Sequence, residues 1–227
     1  MIINDSFPKF DLPIDFIADD SITGDILNYY SNFPCKIKAG VFVLCTEGMV
    51  KATINLLEVV IRKNDFVIVL PNSFIQIHEV SSDTRISFAG FSSDFMLSGN
   101  YVEILLDSMP MILNSPVISL QDDIAGLYRN VYLLLIRAYT LPHSLENKDI
   151  IRSILAIFLQ GTKELYKRYG RKLDEPLRRE QELYRQFIQL LMAHYTSEHE
   201  VAFYMLRPRL SVRYWIALSA VLLCKGK

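Results

Sequence analysis

The spacing of apolar residues changes once along this chain, just past Phe95, and that change restricts the fold more than any other feature. Before it the pattern is that of short strands. Residues 40–48 form an apolar run ending in a turn at Gly48. Residues 49–57 alternate, with Val50, Ala52 and Ile54 on one face and Lys51, Thr53 and Asn55 on the other. Val59, Val60 and Ile61 lead into a turn at Arg62, Lys63, Asn64 and Asp65, and residues 66–70 are closed by Pro71-Asn72-Ser73. Residues 75–80 alternate strictly, and residues 85–91 make a further strand. Strands about 8–12 residues apart with turn residues between them predict a small antiparallel sandwich or barrel. After the change the period is helical. Ile124, Leu127, Tyr128, Val131, Leu134, Leu135 and Ala138 predict a helix over 122–139, ended by Leu141-Pro142. A second helix is predicted over 145–169, with Ile150, Ile151, Ile154, Leu155, Phe158 and Leu165 on its apolar face. The short connection makes the two antiparallel. A polar linker, 171–176, precedes a third helix over 178–195. The fold class is therefore α+β.

With 51% hydrophobic and 22% charged residues the chain has enough apolar side chains for a sizeable core. Three cysteines, Cys35, Cys45 and Cys224, are too scattered for a disulfide framework or a paired-cysteine metal site, and imply a reducing compartment. The N-terminus has no basic and apolar signal segment, and the longest apolar run, residues 215–224, is far short of the ~20 residues that span a bilayer. A cytoplasmic protein without membrane contact is the expectation.

Catalytic chemistry has little to stand on. The histidines His78, His143, His194 and His199 lack metal-binding spacing, and no nucleophile elbow or phosphate-cradling glycine loop is present. His78 and Glu79, as strand neighbours, are expected on opposite faces. Asp122-Asp123 is expected to be solvated. The expectation is a non-enzyme with no catalytic residues, no metal and no cofactor. Charge is more informative: residues 162–227 hold 13 Lys/Arg against 7 Asp/Glu, although the whole chain is at −1. An acidic body with a basic tail suggests a ligand or partner module joined to a segment that prefers an anion such as nucleic acid.

In that tail a helix ending at Tyr195 is followed by a short helix capped at Thr196 or Ser197. Pro208 stops it, and Ser211 can cap another helix from Val212. Helix, short helix, turn and capped helix form a helix-turn-helix pattern, whose last helix would enter the major groove near Arg213.

Residues 180–187 (EQELYRQF), 199–204 (HEVAFY) and 210–214 (LSVRY) resemble the start of the DNA-binding domain of AraC-type transcriptional regulators, Bacteroidetes members above all. The resemblance implies an N-terminal cupin-like sensor barrel over 1–100, a helical dimerisation segment over 101–170 and a partial helix-turn-helix over 177–227. Lys63-Asn64-Asp65-Phe66 through Leu70-Pro71-Asn72 stands where the family often has a Pro-Gly-Asp turn, a strand and a proline. It implies DNA contacts by Ser211, Arg213 and Tyr214, with Arg207 and Arg209 beside them, a homodimer and a small-molecule effector. The family's DNA-binding domain has two helix-turn-helix units and this chain carries one, so a truncated or altered domain is expected. The tail 215–224 is almost wholly apolar, whereas a groove-reading helix needs a polar face. Without DNA reading, the chain would be a sensor or dimerisation protein derived from such a regulator. Phe42, Leu44, Ile75 and Ile77 are the candidate effector-lining residues, taken as inward positions of their strands. A slip of one residue would exchange the faces.

Overall fold

A computed structural model describes residues 9–29, 31, 34–55, 57–97, 108, 111–140 and 148–169. The chain divides into two compact units, Phe7–Lys172 and Leu173–Lys227 with Met1–Ser6, and every described residue belongs to the first. The helix-turn-helix predicted over 177–227, and with it Arg207, Arg209, Ser211, Arg213 and Tyr214, lies outside the described residues.

Among the described residues these elements follow in order: β1 Lys9–Phe10, β2 Phe16–Thr23, α1 Gly24–Tyr29, β3 Cys35–Ile37, β4 Gly40–Glu47, β5 Met49–Ile54, β6 Leu57–Arg62, β7 Asp65–Val69, β8 Ser73–Val80, β9 Arg85–Phe91, α2 Ser93–Leu97, β10 Val117–Ser119, α3 Asp122–Thr140 and α4 Lys148–Tyr169. One sheet has the order β1-β3-β8-β5-β6 and the other β10-β7-β4-β9-β2. All strand pairs are antiparallel except the two-residue β1–β3 pair. This is a cupin-like α+β domain, a double-sheet barrel followed by a helical hairpin.

The turns follow from residues that tolerate a left-handed backbone. Asn55, Asn64 and Asn72 have φ of 47°, 67° and 68°, the conformation asparagine adopts more readily than most residues. Asn55 divides the stretch expected as one strand over 49–57 into β5 and the start of β6. Gly48, between β4 and β5, has φ 77°, and a Cβ there would lie 2.5 Å from the Thr84 Cα. Only glycine fits.

Two clusters of buried side chains share the second sheet. Between the sheets are Cys45, Val50, Ala52, Ile54, Ile61, Val67, Val69 and Ile86. On the sheet's other face, Phe42, Leu44, Phe66, Ile68, Ala89 and Phe91 pack against Tyr128, Tyr132 and Leu135 of α3 and Ile154, Leu155, Phe158 and Leu159 of α4. The Phe42 ring is 5.3 Å from that of Phe158 and 6.0 Å from that of Phe91, and the Phe66 ring is 4.7 Å from that of Tyr128. Burying these rings is what fixes the hairpin to the sheet. Tyr166 ties α4 down further by donating to the Ser115 carbonyl at 2.5 Å.

Candidate functional site

The space between the two sheets is the natural place for a ligand in such a barrel, and it is unevenly closed. Along the edge where β6 turns into β7, Ala52, Ile54, Ile61, Val67 and Val69 are buried, with Val59 and Val117 of the same cluster half-buried beside them. Toward β3 and β2, the residues of the same apolar cluster, Ile22, Ile37, Val41, Val43, Ile75 and Ile77, are only half-buried. Strand β4 displays the difference within four residues. Phe42 and Leu44, which face the hairpin, are each 1% exposed, whereas Val41 and Val43 on the inter-sheet face retain partial exposure. A central strand of a fully closed sandwich would be sealed on both faces. These partly exposed apolar side chains mark the β2–β3 side of the inter-sheet space as the candidate cleft.

The four expected effector-lining residues are not brought together. Ile75 and Ile77 belong to the inter-sheet cluster and line the cleft, while Phe42 and Leu44 belong to the core between sheet and hairpin. The inward residues of β4 are Val41, Val43 and Cys45, one register step away from the expected ones. The reason is size: the hairpin demands the large rings of Phe42, Phe66 and Phe91, and strict alternation turns the smaller neighbours the other way. Cys35 and Ile37 of β3 complete the cleft wall, since Cys35 pairs with Ile75 and Ile37 lies two positions on, on the same face.

The cleft wall carries no charge. Burial pushes the Cys35 thiol upward. Cys45, deeper in, is pushed up to about 11 by burial first and by the neighbouring Asp65 carboxylate second. Such a thiol is a poor nucleophile. On the opposite face of β3, Lys36 is buried with its Nζ 5.7 Å from the Phe74 ring centroid. Among the described residues no three of His, Cys, Asp or Glu gather where they could hold a metal ion. A shallow surface dent lined by Ile54, Asn55, Ile68, Leu70, Ser73, Ile112, Leu113 and Pro116 encloses no room even for a water molecule.

His78 and Glu79 share a face. A bulge shifts the β5–β8 register between Lys51 and Ala52, so His78 is the extra residue and both side chains turn outward. His78 Nε2 bonds the Thr53 hydroxyl at 2.7 Å, and Glu79 pairs with Lys51 at 2.5 Å. Asp122 and Asp123 start α3: Asp122 accepts from the Asn64 amide at 2.5 Å and Asp123 from the Ile124 N–H. The buried Asp65 accepts from the Arg62 N–H at 2.7 Å and from the Ser119 hydroxyl at 2.6 Å, joining the β6–β7 turn to β10. Nothing in its tetrapeptide alone marks Asp65 as buried, because Ser119 is remote in sequence. His143, His194 and His199 lie outside the described residues.

No family model and no curated protein matches this chain. Among solved structures it is similar to ToxT from Vibrio cholerae, at 12% identity over 92% of this chain and 76% of that one, with a TM-score of 0.40. It is similar to the AraC-like transcriptional activator CuxR at 11% identity, over 84% of this chain and 62% of CuxR, with a TM-score of 0.44. The EutQ protein of Clostridium difficile covers 35% of this chain, at 14% identity and 69% of its own length, with a TM-score of 0.26. No described helix is long and apolar enough to cross a membrane.

Proposed function

We propose that this chain is an AraC-type transcriptional regulator of the cytoplasm, without enzymatic activity, cofactor or metal. Its barrel senses an apolar small molecule, its helical segment supports a homodimer, and its C-terminal segment contacts DNA through a helix-turn-helix. The observation that supports the sensing role is the partly exposed, uncharged wall of Cys35, Ile37, Val41, Val43, Ile75 and Ile77 on the inter-sheet side. Such a wall gains free energy by excluding water from an apolar guest and offers nothing to bind an ion. The DNA role is supported by the likeness of residues 180–187, 199–204 and 210–214 to the family's reading module. There Arg207, Arg209 and Arg213 would contact phosphate, with Ser211 and Tyr214 at the start of the reading helix.

Two titrations test the reading. An uncharged apolar fluorescent dye such as N-phenyl-1-naphthylamine should bind the intact chain saturably and lose that site in Val43→Trp, where the indole fills the cleft. Equal binding by both overturns the sensing role. A fluorescein-labelled duplex at low salt should bind, and three phosphate contacts give log K against log salt a slope of about −2.7. Absence of binding at low salt removes the DNA role. What then stands is a sensor or dimerisation protein without DNA reading, a role favoured by the almost wholly apolar stretch 215–224.

A further inference from the structure

We infer that the outer edge of β6 is a docking edge for a second copy of this chain, whose own β6 pairs with it antiparallel about a two-fold axis at Val60. This edge belongs to the barrel and is separate from the helical segment, so the inference stands whether or not that segment holds a dimer.

An unpaired strand edge presents a row of free N–H and C=O groups to any strand that approaches, and folds therefore shorten, bend or charge their edges. Among the described residues the two sheets have four edges, β1 and β6 on one, β10 and β2 on the other. Three of them are blunted. Strand β1 has two residues, and β10 has three, directly after Pro116. Strand β2 is longer, but its pairing with β9 shifts register between Asp19 and Ile22, where two carboxylates stand side by side. Strand β6 is the exception. Its six residues pair with β5 without interruption from Leu57 to Arg62, and none of them is proline.

The side chains of β6 name the occupant. Glu58, Val60 and Arg62 are exposed on the outer face of the sheet, Val60 at 37%. Ile61 is buried between the sheets and Val59 half-buried there. Among the described residues neither the Glu58 carboxylate nor the Arg62 guanidinium makes an ion pair. Lys51, which lies opposite Val60 on β5, is engaged by Glu79. Two opposite charges thus stand unpaired on one open edge, each two positions from an exposed valine.

An antiparallel copy centred on Val60 sets Glu58 against Arg62 on both sides of the axis, with the two valines in contact between them. Directly opposed side chains have Cβ atoms about 5 Å apart, within reach of an ion pair. On the inner face the same register sets Val59 against Ile61 twice and covers the half-buried Val59. An in-register parallel pair would set Glu58 beside Glu58 and Arg62 beside Arg62. Moving the axis to Val59 or Ile61 would set Val60 opposite Glu58 or Arg62. Only the Val60 axis matches apolar with apolar and charge with opposite charge. A strand of unrelated sequence would meet the same backbone but not both charges. The contact is closed and isologous, and it continues one barrel sheet into the next.

Cross-linking and sedimentation of the full chain test the seam. In Val60→Cys the two thiols meet at the axis, so mild oxidation should yield disulfide-linked pairs of chains. Glu58→Cys, equally exposed, is displaced from its own copy by roughly 13 Å along the strands and should not cross-link. In sedimentation velocity at low salt, Val60→Lys should weaken self-association about 10-fold by setting two ammonium groups against each other. Its melting curve should match the wild type, since the side chain is exposed in the single chain. Glu58→Arg and Arg62→Glu should each weaken association about 3-fold, and the double reversal should restore it. Equal cross-linking of the two cysteine variants, or none in either, overturns the seam. So does self-association that Val60→Lys leaves unchanged, an outcome that assigns the association to another surface. A double reversal no tighter than the singles overturns the register.

Discussion

The uneven packing of β4 makes a quantitative prediction, because adjacent residues of one strand should differ several-fold in their cost on truncation. Phe42 is 1% exposed and its ring touches those of Phe66, Phe91 and Phe158. Phe42→Ala removes a ring from a closed core, where such changes cost about 3–5 kcal/mol. Val43 faces the cleft and is half-buried. Val43→Ala removes two methyl groups worth about 0.8 kcal/mol each when fully buried, so roughly half of 1.6 kcal/mol is at stake. No sealed void forms beside it, so the cavity penalty that enlarges core truncations is absent. With a urea dependence of about 2 kcal/mol per molar, the midpoint should fall by about 2 M for Phe42→Ala and about 0.4 M for Val43→Ala. Far-UV circular dichroism is the suitable signal, since the one tryptophan, Trp215, is in the other unit. A Val43→Ala cost within 1 kcal/mol of the Phe42→Ala cost would show the inter-sheet side to be as tightly closed as the hairpin side, and the cleft would be gone.

Asp65→Asn replaces one of two buried acceptors by a donor facing the Arg62 N–H or the Ser119 hydroxyl, and should cost about 1–3 kcal/mol in the same urea assay. The phenols of Tyr128, Tyr132 and Tyr166 are raised above the usual tyrosine range, chiefly by burial. An acid raised in the folded state stabilises below its unfolded pKa, near 10, and that contribution fades as pH rises above it, by about 1.4 kcal/mol per pH unit for each phenol. Urea midpoints at pH 9, 10 and 11 should therefore fall progressively, and Tyr132→Phe should remove about a third of the slope. A flat profile would mean that these hydroxyls meet solvent. Finally, iodoacetamide at pH 8 followed by peptide mapping should modify Cys35 well before Cys45, which is fully buried and only about 0.1% thiolate there. Equal rates would contradict the closed packing at Cys45.

How much of this was legible beforehand depends on whether the signal is local. Strand β9 and helix α3 stand within a residue of where periodicity predicts them, because each buries one face and alternates or repeats cleanly. Strand β2 escaped notice since Asp19, Asp20 and Ser21 interrupt its apolar pattern. Asp19 accepts from both the Ser21 N–H and the Ser21 hydroxyl, and the pairing with β9 shifts register at that point. The bulge at His78 was equally invisible, since it is set by pairing with β5 and not by its own neighbours. The cleft is the instructive case. Strand β4 is apolar on both faces, so alternation marks two sets, Phe42 with Leu44 and Val41 with Val43, without saying which set faces which neighbour. A usable clue was present in the side-chain volumes: helices covering a sheet leave more depth for rings than a facing sheet does.

The consequence of β4 reaches past packing. One backbone separates the two compartments, and over Val41–Leu44 it turns its valines to one and Phe42 and Leu44 to the other. A guest that pushes Val41 and Val43 outward by a fraction of an ångström must carry Phe42 and Leu44 with them, and those rest on Phe158 and the other hairpin side chains with no slack to absorb the movement. On the proposed reading the partition would work as a rigid diaphragm: a guest on the inter-sheet side would press on the hairpin side through β4 itself.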